Sequence, residues 1–413
     1  MQRLVRFLAV WALACLPMQA QHLRVAFVGD PQVDNETELG YARKSIYREL
    51  RERKDLDLVV ILGDLVNDDV RLLEPSKATL DSLPCPWTVV PGNHDRDYYI
   101  PKKGRIISID GKVDEKRPRD MATFTRVFGG PDTTFVLGGI RFVMMDDVRR
   151  LGQNGYEGGF REDQKKWLRK VLEDTPQDML AVLSVHIPFR EFKAQDSLAA
   201  VLRTHPKLLM MTGHTHSAAR GRLALPGGPQ VEEVLAGATC GTFWRGRKDE
   251  NGIPEARMVC GAPRGYYLAD FQKNGNYSLD YKRVGSTQEE RLSAWQDGKG
   301  KLLLNIYGGS TEGNVSVKIP GMKGWLPVPR REEPAPEVLA IVEFNKTLGR
   351  KGRINNPLYC PLRTADSPHV WSVTLPKSFI GSVKVRYSDP SLSFTTTIQP
   401  RMLPQVQAIQ AAP

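Results

Sequence analysis

The sequence predicts an α/β domain with a largely parallel sheet, followed by a small all-β domain. Over residues 22–216, short apolar runs alternate with stretches of helical periodicity, which is the pattern of parallel strands covered by helices. Over residues 301–400, short β-type runs are separated by proline and glycine, which is typical of an all-β unit. A length of 413 residues is typical of two domains.

The first twenty residues, MQRLVRFLAVWALACLPMQA, have the pattern of a secretory signal peptide, 1–20. Two arginines precede an apolar core that is too short to span a membrane, and the small residue Ala20 follows. A plain N-terminal helix is the alternative, and Cys15 would allow a lipid anchor, although Leu13 stands where a smaller residue is usual. We therefore expect an exported protein, periplasmic or extracellular. We expect no transmembrane segment, because no later apolar run reaches about 18 residues.

The elements of the α/β domain, predicted for residues 21–285, follow in order along the chain. Apolar runs predict strands at 23–30, 56–64, 86–95, 179–188 and 207–216. Helical spacing predicts helices at 36–54, 161–174 and 195–205. Beyond them, the segments 228–241 and 265–285 are typical of antiparallel strands with Asn-Gly turns.

The all-β domain is predicted for residues 300–403. The polar segment 286–300 is interpreted as a linker between the two domains. Strands are predicted at 315–320, 369–376 and 381–389, and the segment 328–338 is interpreted as a loop between them.

Polar side chains follow the predicted strands of the first domain, at the point where each strand ends. They are Asp30, Gln32, Asp64, Asn93, His94, Asp95, His186, His214 and His216. Ligand sites in α/β sheets gather at the carboxyl ends of the strands, so we expect these side chains to converge. Taken alone, each is better explained as a turn, a cap or a structural histidine. Four of the seven histidines of the chain belong to the set.

The chemistry of the set is that of a metal site. It combines carboxylate, amide and imidazole groups without cysteine, which suits divalent ions such as Mn, Fe or Zn. Seven of its members are candidate ligands, which are too many for one tetrahedral ion. They suit two ions that share a carboxylate.

The order GDPQ, GDLVND, GNHD, VHIP, GHTH resembles the signature of the calcineurin-like metallophosphoesterases over roughly residues 23–285. The tail, with HVWSVTLP and VRYSDP, is similar to the β-rich C-terminal domain of some secreted bacterial members. The resemblance implies a two-sheet βαβ sandwich. It also implies that Asp30, Gln32 and His216 bind the first metal and that Asp64 bridges both metals. Asn93, His186 and His214 would complete the second site.

The resemblance also implies the roles of the remaining residues. His94 would contact the phosphate, with Asn93, or protonate the leaving oxygen, and Asp95 would orient His94. Gln32 stands where the family commonly has histidine, so we expect a working site with a weaker first metal or a different metal preference. A Gln32 that is not a ligand is the alternative.

The function implied is hydrolysis of phosphate mono- or diesters by a hydroxide shared between two divalent metal ions. Alternatives are a nuclease or nucleotide hydrolase of the same superfamily, and a surface-binding protein with a vestigial metal site. We expect a small or medium phosphorylated substrate. The net charge of +11 is spread along the chain without a dense basic run, so no nucleic-acid partner is expected. Oligomeric state is left open.

Two features of the first predicted domain, near its C-terminal end, are left open. Cys240 and Cys260 could form a disulfide or remain buried thiols. The segment around them contains Phe243, Trp244, Arg245 and Arg264. It is interpreted either as a substrate-facing loop or as a surface loop that packs on the tail.

Overall fold

A computed structural model of the chain describes most residues after the predicted signal peptide, which itself lies outside the described residues. The described ranges are 22–100, 105–107, 121–151, 155–193, 195–286, 290–349, 353, 356–375 and 379–403, with backbone only for 98–100 and 105–107.

The strands up to residue 283 are β1 (His22–Val28), β2 (Leu58–Ile61), β3 (Trp87–Val89), β4 (Tyr98–Ile100), β5 (Arg105–Ile107), β6 (Thr133–Leu137), β7 (Ile140–Met144), β8 (Val148–Leu151), β9 (Gly155–Gly158), β10 (Ala181–Ser184), β11 (Leu208–Thr212), β12 (Ala218–Ala224), β13 (Gln230–Ala236), β14 (Gly265–Gln272) and β15 (Tyr277–Arg283). The strands beyond it are β16 (Leu292–Gln296), β17 (Lys301–Ile306), β18 (Asn314–Lys318), β19 (Leu326–Val328), β20 (Arg330–Glu333), β21 (Ser367–Thr374), β22 (Val383–Ser388), β23 (Ser393–Ile398) and β24 (Arg401–Met402).

The helices are α1 (Glu36–Lys44), α2 (Ile46–Glu52), α3 (Leu73–Leu80), α4 (Ala122–Phe128), α5 (Glu162–Glu173), α6 (Gln195–Leu202) and α7 (Pro336–Thr347), with 3-10 turns at Val70–Leu72 and Phe189–Glu191. None of the helices in the described ranges is both long enough and apolar enough to span a bilayer.

The first part of the chain forms two sheets that pack face to face. One has the order β15-β14-β1-β2-β3 and the other β12-β13-β11-β10-β7-β6. Alternate side chains of a strand point to opposite faces of the sheet and pack in different cores. Val25 and Phe27 of β1 lie in the core between the sheets, whereas Ala26 and Val28 lie in the core under α1, α2 and α3. Helices α5 and α6 cover the outer face of the second sheet. The predicted two-sheet α/β sandwich is confirmed.

The register of the parallel strands aligns their carboxyl ends. In the first sheet Ile61 of β2 pairs with Val28 of β1 and with Val89 of β3. In the second sheet Ser184 of β10 pairs with Met144 of β7 and Met211 of β11. The segments that follow these strands therefore leave each sheet at one edge, and the two edges meet, because the His214 N–H beyond β11 donates to Asp30 beyond β1.

The C-terminal part consists of a β20-β21-β17-β16-β24 sheet packed on a β19-β18-β22-β23 sheet. Two predictions for this region were wrong. The predicted linker contains β16, which pairs along its length with β17. The predicted loop 328–338 contains β20 and the start of α7, which is a helix within the β-rich C-terminal region. Helix α7 begins with Pro336 in its first turn, where a missing N–H costs nothing, and it buries Val338.

The single helix predicted for 36–54 is divided in two at Ser45. The Ser45 hydroxyl donates to the Tyr41 carbonyl at 2.6 Å, and the Ser45 N–H donates to the Ala42 carbonyl. A serine hydroxyl that binds the carbonyl four residues back competes with the helical hydrogen bond and bends the chain.

Candidate metal centre

All the predicted site residues lie at the carboxyl end of the sandwich, in the segments that follow β1, β2, β3, β10 and β11. Their side chains are buried, apart from those of His94, which is 28% exposed, and His214 and His216, which are partly buried. The convergence expected from the strand ends is therefore present in the structure.

The residues expected at the second metal form the compact part of the centre. Asp64, His186 and His214 offer ligand atoms that all lie within 4.8 Å of one another. His186 Nε2 lies 3.3 Å from Asp64 Oδ2, 3.2 Å from His214 Nδ1 and 3.0 Å from Asn93 Oδ1. Four potential ligand atoms of mixed type thus face one point.

The His186 ring is held in the tautomer that a metal ligand needs. Its Nδ1 donates to the Leu62 carbonyl at 2.8 Å, which leaves the lone pair of the neutral ring on Nε2. Burial lowers the pKa of His186, but Asp64, Asp30 and Asp147 outweigh burial and raise the pKa to about 10. A cation at Nε2 would replace that proton and satisfy the same negative charges.

The residues expected at the first metal lie side by side but less compactly. The His216 Nδ1 donates to the Gly241 carbonyl at 2.7 Å, so its Nε2 carries the lone pair. The Gln32 Oε1 lies 3.7 Å from the Cys240 sulfur, which is 3.8 Å from His216 Nδ1. Asp30 is fully buried, and both of its oxygens accept the His214 N–H at 3.1 Å.

The charge of the site fits divalent cations. Asp30 and Asp64 are fully buried, and within the described ranges neither forms an ion pair with a lysine or arginine. Burial raises the pKa of Asp30 well above its usual range, and the negative charge of Asp64 adds to this effect. Burial also raises the pKa of Asp64, but the imidazoles of His186 and His94 outweigh it and hold that pKa well below its usual range. Buried carboxylates in this setting require positive charge, which bound metal ions provide.

The backbone is strained at most of the candidate ligands. Residues with a left-handed φ are Asp30 (43°), Gln32 (38°), Asp64 (48°), His214 (69°) and His216 (50°). A side chain with a Cβ disfavours this conformation by roughly 1–2 kcal/mol, and such residues cluster at functional sites. Hydrogen bonds fix the strained segments to one another, since the Gln32 N–H donates to the Asp64 carbonyl at 2.7 Å.

His94 is paired with Asp68, which the sequence reasoning missed. The His94 Nδ1 lies 2.6 Å from Asp68 Oδ1, and the His94 N–H donates to Asp64 Oδ1 at 2.9 Å. The prediction that Asp95 orients His94 was wrong. The carboxylate oxygens of Asp95 instead accept the backbone N–H groups of Val66 and Gly92 at 3.1 and 2.9 Å. Burial, with the charge of Asp64, raises the pKa of Asp95 to about 6. Asp95 therefore joins the loop after β2 to the loop after β3.

Asp147 is a second residue that sequence reasoning missed. It is fully buried and accepts the N–H groups of His186 and Ile187 at 3.1 and 2.8 Å, so it fixes the segment that carries His186. Burial raises the pKa of Asp147 to about 7. The signal was available, because Asp146 and Asp147 follow the apolar strand β7 just as the other site residues follow their strands.

The four cysteines within the described ranges are thiols. Cys85, Cys240, Cys260 and Cys360 are all free, so Cys240 and Cys260 do not form a disulfide. Cys240 lies beside Gln32 and His216 instead, and burial raises the pKa of its thiol well above the usual range.

Two family models match the chain. A family model described as calcineurin-like phosphoesterase matches residues 23–218, and a model described as the C-terminal of calcineurin-like phosphoesterase matches residues 233–391. No curated protein matches the chain at a significant level.

Among solved structures, the crystal structure of 5'-nucleotidase from Candida albicans SC5314 resembles 63% of this chain at 11% sequence identity, with a TM-score of 0.34. The chain spans 50% of the length of that structure, and a likeness at this level carries no argument about activity. The two family matches extend from residue 23 to residue 391 with a short gap. The chain belongs to the calcineurin-like phosphoesterase family.

Proposed function

We propose that this phosphoester hydrolase cleaves phosphate mono- or diesters at a centre of two divalent metal ions. One observation carries the proposal: the nine polar residues that follow five different strands meet at one end of the sandwich. Three of them, Asp64, His186 and His214, offer ligand atoms within 4.8 Å of one another.

The ligand types present divide between the two ions. Asp64, Asn93, His186 and His214 would hold the second ion, and Asp30, Gln32 and His216 would hold the first, with Asp64 shared. When bound, two such ions supply Lewis-acid charge and lower the pKa of a coordinated water. The absence of cysteine among these residues favours Mn, Fe or Zn in a mixed oxygen and nitrogen site. The sulfur of Cys240 lies on the Nδ1 side of His216, away from the lone pair.

His94 is the residue of this chain that best fits proton transfer. Asp68 accepts the hydrogen bond from Nδ1 at 2.6 Å, and Nε2 is the ring nitrogen that would contact a phosphate oxygen or give a proton to the leaving oxygen. The partial exposure of the ring allows contact with a substrate from solvent. Asn93, whose Oδ1 faces His186, has an amide NH₂ group that can donate to a phosphate oxygen.

The proposed setting is outside the cytoplasm, with a small or medium phosphorylated compound as substrate. The support for export is the signal-peptide pattern of residues 1–20 alone. The support for an accessible substrate site is the partial exposure of His94 and His214 at the open end of the sandwich.

The test is a metal analysis of the purified chain, followed by assays with p-nitrophenyl phosphate and bis(p-nitrophenyl) phosphate after loading with Mn, Fe or Zn. We expect two metal ions per chain and turnover of at least one ester. His94→Ala should lower kcat by roughly 10²-fold or more while the metal content is kept. The matched control is His22→Ala, which changes an exposed histidine at the start of β1 and should leave kcat unchanged. Loaded protein that turns over neither ester would contradict the proposal.

A further inference from the structure

Two exposed aromatic side chains stand beside the two histidines of the GHTH motif. The Phe243 ring centroid lies 5.2 Å from that of His216, and the Tyr156 ring centroid lies 5.9 Å from that of His214. Phe243 is 38% exposed and Tyr156 is 37% exposed, although large apolar side chains are usually covered. The two rings therefore border the open side of the metal centre.

Phe243 is held in its exposed position by its neighbour. Phe243 and Trp244 both have left-handed backbone, with φ of 62° and 49°, which costs roughly 1–2 kcal/mol for each residue. Trp244 is buried, and its indole N–H donates to the Pro31 carbonyl at 2.8 Å. The Arg264 guanidinium lies 5.2 Å from the Trp244 ring. The buried tryptophan thus fixes a strained turn that presents the phenylalanine to solvent.

The anchor of this turn is part of the metal centre itself. Pro31 lies between Asp30 and Gln32, and the Cys240 N–H donates to the Asp30 carbonyl at 3.1 Å. The position of Phe243 is consequently tied to the backbone that carries two candidate ligands. A ring on an ordinary surface loop would have no such fixed distance from the site.

Tyr156 reaches the centre from a separate segment. It lies on β9, which pairs with β8, and Gly158 of β9 forms a bridge with Phe192. Its ring meets His214 edge-on, at an interplanar angle of 86°. The two rings thus come from different parts of the fold and contact different histidines.

We propose that Phe243 and Tyr156 form an aromatic subsite that binds the alcohol part of the substrate, and that the chain prefers phosphate esters of aromatic alcohols. This inference rests on the proposed function. Aromatic rings that pack against another aromatic ring contribute more binding free energy than the burial of their area alone. Ligand sites combine such apolar walls with a few polar groups. The metal centre supplies the polar groups for the phosphate, and the two rings supply the apolar walls.

The experiment compares benzyl phosphate, cyclohexylmethyl phosphate and ethyl phosphate, whose alcohols are similar in acidity. We expect the wild-type protein to have its highest kcat/KM with the benzyl ester. Phe243→Ala should lower the ratio of benzyl to ethyl kcat/KM about tenfold, and Tyr156→Ala should lower it in the same direction. Phe243→Tyr and Tyr156→Phe should keep the ratio, because the ring remains.

The control variant is Ile380→Ala, which removes a side chain that is 94% exposed in the C-terminal region and should leave all three kcat/KM values unchanged. An equal loss for all three esters in Phe243→Ala, or a loss of metal, would mean that the rings only cover the histidines, and it would overturn the proposal. Equal kcat/KM values for benzyl and ethyl esters in the wild-type protein would also overturn it.

Binding measurements separate this proposal from the proposed function. Benzylphosphonate and ethylphosphonate cannot be hydrolysed, so calorimetric titration of the metal-loaded protein reports the subsite even if no ester is turned over. We expect tighter binding of benzylphosphonate, with that advantage reduced about tenfold in Phe243→Ala. Equal affinities for both phosphonates in the wild-type protein would contradict the subsite, whereas lack of turnover alone would contradict only the proposed function.

Discussion

At the residue scale, the pair of His94 and Asp68 is the arrangement with the clearest chemical consequence. A carboxylate that accepts from Nδ1 fixes the orientation and tautomer of the ring, and removal of such a partner typically costs 10–100-fold in activity. We expect Asp68→Ala to lower kcat by roughly that factor without loss of metal, since Asp68 contacts His94 and is not one of the three clustered ligand residues. Steady-state kinetics and metal analysis check this expectation.

The control for that variant is the next residue. Asp69 binds the Arg71 side chain and the Arg71 N–H, so Asp69→Ala should leave kcat close to the wild-type value. An Asp68→Ala variant with wild-type kcat would show that the 2.6 Å contact has no role in the reaction.

The sequence predicted which residues meet but not all the contacts among them. Asp30, Asp64, Asn93, His186 and His214 were predictable because each follows an apolar run, and parallel strands bring such ends together. The partner of His94 was not predictable in the same way, since Asp68 and Asp95 both lie within a few residues of a strand end. Which carboxylate faces the ring is decided by loop dihedrals such as the left-handed φ of 72° at Asp68, and no residue pattern encodes these.

At the element scale, the end of β11 is shaped by the lack of a side chain at Gly213. A Cβ there would lie 2.6 Å from Asp30 Oδ2 and 2.9 Å from the Leu62 carbonyl oxygen, so the Asp30 side chain or the backbone would have to move. We expect Gly213→Ala to displace Asp30, to lower the metal content and to reduce the free energy of unfolding by about 1–3 kcal/mol. Metal analysis and denaturant unfolding measure the two effects.

Gly40 provides a matched glycine within α1. A Cβ there would meet nothing within 4 Å, and alanine is favoured over glycine in a helix by about 0.5–1 kcal/mol. Gly40→Ala should therefore raise stability and keep the metal content. If Gly213→Ala retained full metal content, the close packing of β11 against Asp30 would not be required for the site.

The element predictions failed where local chemistry or tertiary contacts override the pattern. Ser45 interrupts a stretch whose spacing suits one helix, because its hydroxyl takes a backbone carbonyl. Strand β16 lies in a segment that is polar overall, but it pairs with β17 and buries Leu292 and Ala294 in the core of the C-terminal part. The start of helix α7 is indicated in the sequence by the proline of its first turn and the apolar run that follows. The same prolines also made this stretch similar to a loop.

At the scale of the whole molecule, a buried ion pair joins the C-terminal part to the sandwich. Arg220 of β12 binds Asp389, and both side chains are almost fully buried. The Arg220 Nε donates to the Gly308 carbonyl at 3.0 Å, and the Tyr387 hydroxyl binds Asp389. Removal of one partner from a buried pair costs about 3–5 kcal/mol when the remaining charge is uncompensated, and here Glu232, 3.6 Å from Arg220, compensates part of it. We expect Asp389→Asn to lower the free energy of unfolding by about 3 kcal/mol, measured by denaturant titration.

The control is a second, exposed pair between the same two parts. Arg222 of β12 lies 3.3 Å from Glu312, and both side chains are exposed. Exposed pairs contribute at most about 1 kcal/mol, so Glu312→Gln should have a small effect. Equal effects of the two variants would mean that burial of the Arg220 pair does not determine how firmly the two parts are joined.

The buried His369 of β21, in the C-terminal part, predicts a pH dependence of stability. Burial lowers the pKa of His369 to about 4 from an ordinary value of 6.5, and its Nδ1 lies 2.6 Å from Asn305 Oδ1. The unfolded chain therefore binds a proton at this residue at a higher pH than the folded chain does. The contribution of the neutral His369 ring to the free energy of unfolding is fully present above pH 6.5. It is lost as the pH falls towards 4, and the total loss is about 3 kcal/mol.

Denaturant unfolding at pH 7 and pH 4.5 tests this effect against His369→Gln. We expect the wild-type protein to lose more stability than the variant between these two values. His22→Gln, a change at an exposed histidine, should behave like the wild-type protein. Identical losses in His369→Gln and the wild-type protein would show that another group governs acid sensitivity.

The left-handed backbone at Asp30, Gln32, Asp64, His214 and His216 has a consequence for how the site can persist under mutation. Glycine adopts this conformation without strain, so a glycine at any of the five positions would relax the chain while it removes a candidate ligand. If mutations were selected for folding alone, they would therefore replace these side chains. The demand that keeps them is chemical, and a variant selected only for heat resistance should lose its metals before it loses its fold.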